Sequence, residues 1–144
     1  RLARQVNDRQ PAHQLARLES MLEGLAGKTV HILGLAFRPG VREEAMSPAF
    51  QLRDALNALG ASVTLEDPLY SDAELTILGF VPARVLDGGI DAVVLNTAHD
   101  EFLEADFDAW RAGGVSAVLD GQNVWSSDAA LSAGLTYVAV GVPA

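Results

Sequence analysis

Residues 29–37 read T-V-H-I-L-G-L-A-F, a nearly continuous apolar run of strand length. A strand that is apolar on both faces needs cover on both sides, the condition of a parallel sheet with helices above and below. The flanking sequence supplies those helices. Residues 47–60 read as a helix with Ser47 as its cap, Pro48 at its first position and Gly60 as its stop. Residues 62–66 form a second strand, closed by a turn at Asp67-Pro68. Residues 71–79 form a short helix in which Ser71 and Glu74 have the spacing of a capping box. A weak strand at 83–86, a strong one at 91–95 and a helix at 101–112 follow. A strand at 115–119, a helix at 127–133 and a last strand at 136–140 complete the series. Strands that alternate with helices predict right-handed crossovers and a parallel sheet. The expected fold is therefore α/β, Rossmann-like and three-layered, with a mostly parallel sheet of five or six strands.

Upstream, residues 12–26 read as a helix, because Leu15, Leu18, Leu22 and Leu25 repeat at helical spacing. Asn7 or Asp8 can cap it, Pro11 is tolerated in its first turn, and Gly24 and Gly27 end it. Leu2 and Val6 could extend its apolar stripe, so residues 1–27 read as the C-terminal end of a longer helix and residues 28–144 as one α/β domain. The length of 144 residues fits one domain. An apolar fraction of 49% with 20% charged residues excludes a disordered chain. No apolar run reaches the roughly 18 residues of a membrane span, and the first ten residues have no signal-peptide core. There is no cysteine, which excludes disulfides, thiolate zinc sites and cysteine nucleophiles within the chain and is compatible with a reducing cytoplasm.

The net charge of -9 argues against nucleic acid as a partner. Its distribution is more informative than its sum. Residues 1–60 are net +2 and residues 61–144 net -11, and only Arg84 and Arg111 among the cations lie beyond residue 53. An anionic ligand should be met by the first part.

In open parallel sheets ligands bind beyond the carboxyl ends of the strands, where the strand order reverses. With the order 3-2-1-4-5-6, that crevice lies between the strands ending at Phe37 and Leu95, and the loops at 38–46, 96–100 and 120–126 face it. Arg38 and Arg42 lie in the first of these, and a guanidinium fork suits phosphate oxygens. A phosphate-bearing ligand follows from the residues alone. Gly34 opens no G-x-G-x-x-G, and no Gly-Lys-Ser/Thr completes a phosphate loop. His13, His31 and His99 lie too far apart in sequence for a zinc pair, so no metal site is expected. His31 reads as a core histidine. His99, beside Asp100, reads as a helix start or a ligand contact.

The stretch Ile32-Leu33-Gly34-Leu35-Ala36-Phe37-Arg38-Pro39, then Ser47-Pro48, residues 60–63 (G-A-S-V) and Asp67-Pro68, resembles the C-terminal domain of the UDP-glucose/GDP-mannose dehydrogenase family. The family pattern is L-G-x-A-F-K, a loop ending in Ser-Pro, a helix, then G-x-x-V and D-P. Asp120-Gly121-Gln122-Asn123 is similar to its D-G-R-N, and Val6-Asn7-Asp8-Arg9-Gln10-Pro11 to the end of its long central helix. The resemblance implies that residues 28–144 are a nucleotide-sugar-binding domain and residues 1–27 the end of a central-domain helix. It implies a parent enzyme of the cytoplasm that oxidises the C6 alcohol of a nucleotide sugar to a carboxylate. NAD would be bound mainly by an N-terminal domain, and the enzyme would be a homodimer or higher oligomer. It assigns Phe37, Arg38 and Gln122 to the sugar nucleotide and Arg42 to the cofactor, with no catalytic residue in this chain, which alone is expected to be inactive. Ala45 and Gln122 stand where the family commonly has arginines. Their presence supports a rival reading, a non-catalytic Rossmann-like module that binds a protein partner.

Overall fold

The computed structural model describes residues 11–139. Six strands form one sheet: β1 (Thr29–Leu33), β2 (Ser62–Glu66), β3 (Val81–Pro82), β4 (Ala92–Leu95), β5 (Ala117–Asp120) and β6 (Thr136–Ala139). All pairs are parallel, and the order is β3-β2-β1-β4-β5-β6, so the order reverses between β1 and β4 as expected. The helices are α1 (Pro11–Leu22), α2 (Ala49–Ala58), α3 (Asp72–Ile77), α4 (Phe107–Ala112) and α5 (Ser127–Ser132).

Alternation along the strands divides the core into two layers. Val30, Ile32, Ala92, Val94, Ala117 and Leu119 pack with Leu18 and Leu22 of α1, Leu52 and Leu56 of α2 and Leu75 of α3. Leu33, Val93, Leu95 and Val118 face the other way and pack with Phe107 and Trp110 of α4, Trp125 and Ala130 of α5. His31 is a core histidine, fully buried, with Nδ1 against Thr64 Oγ1 at 2.6 Å and Nε2 against Glu66 Oε2 at 2.8 Å.

Four boundaries differ from the sequence expectation, each for a local reason. The run at 29–37 is strand only to Leu33. Gly34 then turns at φ +99°, where a Cβ would lie 2.4 Å from the Cβ of Thr97, so only glycine fits. Leu35 and Ala36 stay fully buried as loop, which is why the apolar run outlasts the strand. The helix expected at 12–26 ends at Leu22, because Glu23 (φ 55°) and Gly24 (φ 112°) leave helical geometry. The third strand is Val81–Pro82 rather than 83–86. Proline is tolerated there because β3 is an edge strand. The helix expected at 101–112 is broken into a 3₁₀ turn at Asp100–Phe102 and α4, since the Asp106 carboxylate accepts from Ala109 N–H and starts a new helix. The capping box at Ser71 and Glu74 is present. Leu2, Val6, Asn7 and Asp8 lie outside the described residues.

Candidate functional site

Beyond the carboxyl ends of β1 and β4, backbone groups that leave the sheet need new partners, and buried polar side chains supply them. Asn96 and Thr97 follow β4 directly. The Asn96 amide donates to Gly34 C=O at 2.9 Å and to Ser47 Oγ at 3.3 Å, while Thr97 Oγ1 donates to Ala36 C=O at 2.5 Å. These three contacts pull the β1–α2 loop against the switch point.

Asp67, at the end of β2, is 4% exposed. Its Oδ2 accepts from Leu35 N–H at 2.7 Å, Ala36 N–H at 3.0 Å and His99 Nε2–H at 2.9 Å, and its Oδ1 accepts from Leu69 N–H at 2.8 Å. Burial alone would raise the pKa of this carboxyl. The hydrogen bonds from His99 and from the backbone N–H of Ala36, Leu69 and Leu35 outweigh it, and the group sits below its ordinary value. The sequence presents Asp67-Pro68 as a turn. Its larger role is to anchor the loop that follows β1.

His99 stands at the start of the 3₁₀ turn, as expected, but its side chain does not cap it. The ring is turned inward and is 2% exposed, which excludes direct ligand contact in this conformation. Gly40 N–H donates to its Nδ1 at 3.1 Å.

A second buried carboxylate, Asp120 at the end of β5, organises the opposite wall. It accepts from the backbone N–H groups of Gln122, Val124 and Trp125 and from the Tyr137 hydroxyl, at 2.7–3.1 Å. Burial, reinforced by Asp120, pushes the Tyr137 phenol well above its ordinary pKa. Gly121 passes so close to β4 that a Cβ would lie 2.4 Å from Leu95 C=O.

The residues assigned to the sugar nucleotide lie on these two walls. Phe37 is 36% exposed, and the Arg38 side chain is 62% exposed and pairs with Glu43 at 3.4 Å. Gln122 donates from Nε2 to Asn96 C=O at 2.8 Å, which places it beside the same Asn96–Thr97 turn that holds Ala36. Its Oε1 has no partner among the described residues. Arg42 belongs to a different cluster. Its Nε donates to Leu69 C=O at 3.1 Å, its Nη2 pairs with Glu74, and the guanidinium lies 4.6 Å from the centre of the Tyr70 ring. Arg42 thus ties the loop to α3 rather than presenting a free cation.

On the α4 side of the sheet lies a cleft of about 510 Å³, with Leu33, Val85, Phe102 and Trp110 on its walls and Glu66 and Glu101 among its polar residues. Carboxylates outnumber the cation Arg84, itself paired with Asp72, in that lining and oppose a phosphate, which favours the Arg38 rim for an anion. Among the described residues no group of His, Asp and Glu could hold a metal ion, and no helix is long and apolar enough to cross a membrane.

The sequence profile of the UDP-glucose/GDP-mannose dehydrogenase family, UDP binding domain, matches residues 31–127. The UDP-glucose 6-dehydrogenase TuaD of Bacillus subtilis is 27% identical over 97% of this chain, which spans 32% of that protein. The UDP-glucose 6-dehydrogenase AglM of Haloferax volcanii is 34% identical over 83% of the chain, which spans 28% of it. Among solved structures, a UDP-glucose dehydrogenase from Pyrobaculum islandicum superposes with a TM-score of 0.70 at 27% identity, covering 89% of this chain and 28% of that one. The chain therefore spans about a third of the length of the curated relatives it matches.

Proposed function

Because the chain belongs to the UDP-glucose/GDP-mannose dehydrogenase family, we propose that it serves as the nucleotide-sugar-binding C-terminal domain of an NAD-dependent nucleotide sugar 6-dehydrogenase. The observation that carries this reading is the built rim at the switch point. Two buried aspartates hold the β1–α2 and β5–α5 loops on either side of Asn96, and Arg38 stands exposed on the first of them. A guanidinium at the carboxyl edge of a parallel sheet is placed to meet a diphosphate. Phe37 offers an aromatic face beside it, and Gln122 Oε1 offers an acceptor from the opposite wall. The sugar's C6 alcohol would be oxidised to a carboxylate in the parent enzyme.

NAD does not fit the first turn of this domain. Dinucleotide folds direct the N–H groups of that turn at a pyrophosphate. Here the N–H groups of Leu35 and Ala36 are consumed by Asp67, and the anion's place is taken by a carboxylate. NAD is therefore assigned to a part of the parent enzyme outside this chain, with Arg42 as a contact only if it leaves Glu74. The chain has no cysteine, so a thiol nucleophile would also come from outside it. A homo-oligomeric parent in the cytoplasm completes the reading.

Titrating UDP into the 15N-labelled chain tests it. Shifts should concentrate at residues 37–46 and 121–126. Silence in both loops at millimolar UDP, with the fold intact, refutes the reading and returns the protein-interaction module as the better account.

A further inference from the structure

The turn that carries Arg38 is internally closed and held to the rest of the fold at a few points. Phe37 N–H donates to Glu43 C=O at 2.6 Å, Val41 N–H donates to Arg38 C=O at 3.3 Å, and Arg38 and Val41 form an isolated bridge. Residues 37–43 are all exposed, and Arg42 ties the far limb of the turn to Leu69 C=O and to Glu74 of α3. Its base is pinned by Asp67, which accepts from Leu35 and Ala36. Its tip is pinned by Gly40 N–H donating to His99 Nδ1.

Both ring nitrogens of His99 are thereby assigned. Nδ1 accepts, so it carries a lone pair; the ring proton sits on Nε2 and is donated to Asp67 Oδ2. One imidazole–carboxylate pair therefore fixes base and tip of the turn together. A histidine serving only to fill the core would need a partner for each nitrogen, but nothing would require one of them to be the backbone of an exposed loop. Without the Gly40 bond the turn keeps its internal bonds and the Arg42 anchor on its far limb, but the limb that carries Arg38 loses the tether at its tip.

We infer that His99 is a positioning residue for an anionic ligand: through Gly40 it holds the turn that presents Arg38 to a nucleoside diphosphate, without touching that ligand itself. The inference rests on reading this rim as the nucleotide-sugar site. It is of use to the site because orientation fixed before binding lowers the ordering cost that binding would otherwise carry.

The two contacts can be separated by substitution. In His99→Asn, Oδ1 takes the place of Nδ1, keeping an acceptor for Gly40 and giving up Asp67. In His99→Gln, the amide reaches Asp67 and gives up Gly40. UDP affinity and melting temperature are measured for the full 144-residue chain. His99→Gln is expected to melt near the wild type yet bind UDP about tenfold more weakly, the factor of one net hydrogen bond. His99→Asn is expected to melt lower yet bind within about twofold of the wild type, because Gly40 stays held. In an Arg38→Ala background the binding effect of His99→Gln should disappear, since His99 acts through Arg38. Long-range 1H–15N spectra of the wild type should show Nδ1 unprotonated.

Additive losses in the double variant, or wild-type affinity in His99→Gln, overturn the inference and leave the nucleotide-sugar reading standing. A wild-type chain that binds no UDP overturns both. Should His99→Asn fail to fold, the His99→Gln and Arg38→Ala cycle decides alone.

Discussion

Replacing Asp67 by Asn changes one atom at the point where three loops meet, and the structure sets the size of the effect. At present Oδ2 serves Leu35, Ala36 and His99, and Oδ1 serves Leu69. An Asn oriented to keep the three bonds at Oδ2 turns its NH2 toward Leu69 N–H, donor against donor. The opposite orientation loses three acceptors to save one. The first is cheaper, and it costs the charge-assisted share of the remaining bonds and one unsatisfied, partly buried N–H. At about 1–3 kcal/mol for a buried group left unpaired, the sum is about 2–4 kcal/mol. For a chain of this size that corresponds to a drop of about 5–15 °C in Tm. The folded-state pKa of Asp67 is lowered, so its contribution is present above the unfolded pKa of about 3.9 and is lost as pH falls through the folded value. Urea unfolding at pH 7 and at acid pH reads both effects. The wild type should exceed Asp67→Asn by the full amount at pH 7, and the gap should close on acidification. A difference below about 0.5 kcal/mol at pH 7, the scatter of neutral surface changes, refutes the anchoring role.

Arg53, on α2, is only 18% exposed in its side chain, donates to Leu78 C=O at 3.0 Å and lies 4.7 Å from the centre of the Phe80 ring. Arg53→Ala should leave UDP affinity intact but cost about 1–2 kcal/mol in urea unfolding. Gly34→Ala forces a Cβ to 2.4 Å from Thr97 at φ +99°, and should lower stability by about 2 kcal/mol or more, seen as a fall in Tm. Gln14 on α1 is 1% exposed, and neither atom of its amide has a hydrogen-bond partner among the described residues. Gln14→Met removes that unsatisfied group at similar volume and should raise stability by about 1 kcal/mol, measurable as a higher urea midpoint.

The strand order was legible because it rests on alternation, which apolar runs and capping residues record directly. Ser71 with Glu74 caps α3 as expected, whereas α2 starts one residue later than expected, with Pro48 rather than Ser47 at its N-cap and Ser47 Oγ accepting from Ala49 N–H. The loops were less legible, because their order comes from residues distant in sequence. Leu35 and Ala36 look like strand, and the partners that hold them as buried loop, the Asp67 carboxylate 31 or 32 positions away and Thr97 61 positions from Ala36, leave no local signal. His99 illustrates the same limit: its two partners lie 59 and 32 positions away, so its inward turn left no local signal. Asp106 was misread for a different reason. An aspartate inside an apolar periodic stretch is a cap as readily as a surface residue, and the cap won. Asp67 and Asp120 share a signature that could have revealed them: one directly follows β2, the other ends β5, and each is followed at once by Pro or Gly, where loop N–H groups need an acceptor.

The claim that this rim binds a nucleotide sugar through Arg38 is tested most directly by calorimetric titration of UDP into the wild type, Arg38→Ala and Arg53→Ala. A charge-assisted contact of about 1.5–3 kcal/mol predicts a loss of roughly 10- to 150-fold for Arg38→Ala. Its stability should stay within about 0.5 kcal/mol, because the side chain is 62% exposed. Arg53→Ala should bind as the wild type does. Undiminished affinity in Arg38→Ala, or equal losses in both variants, would contradict the account.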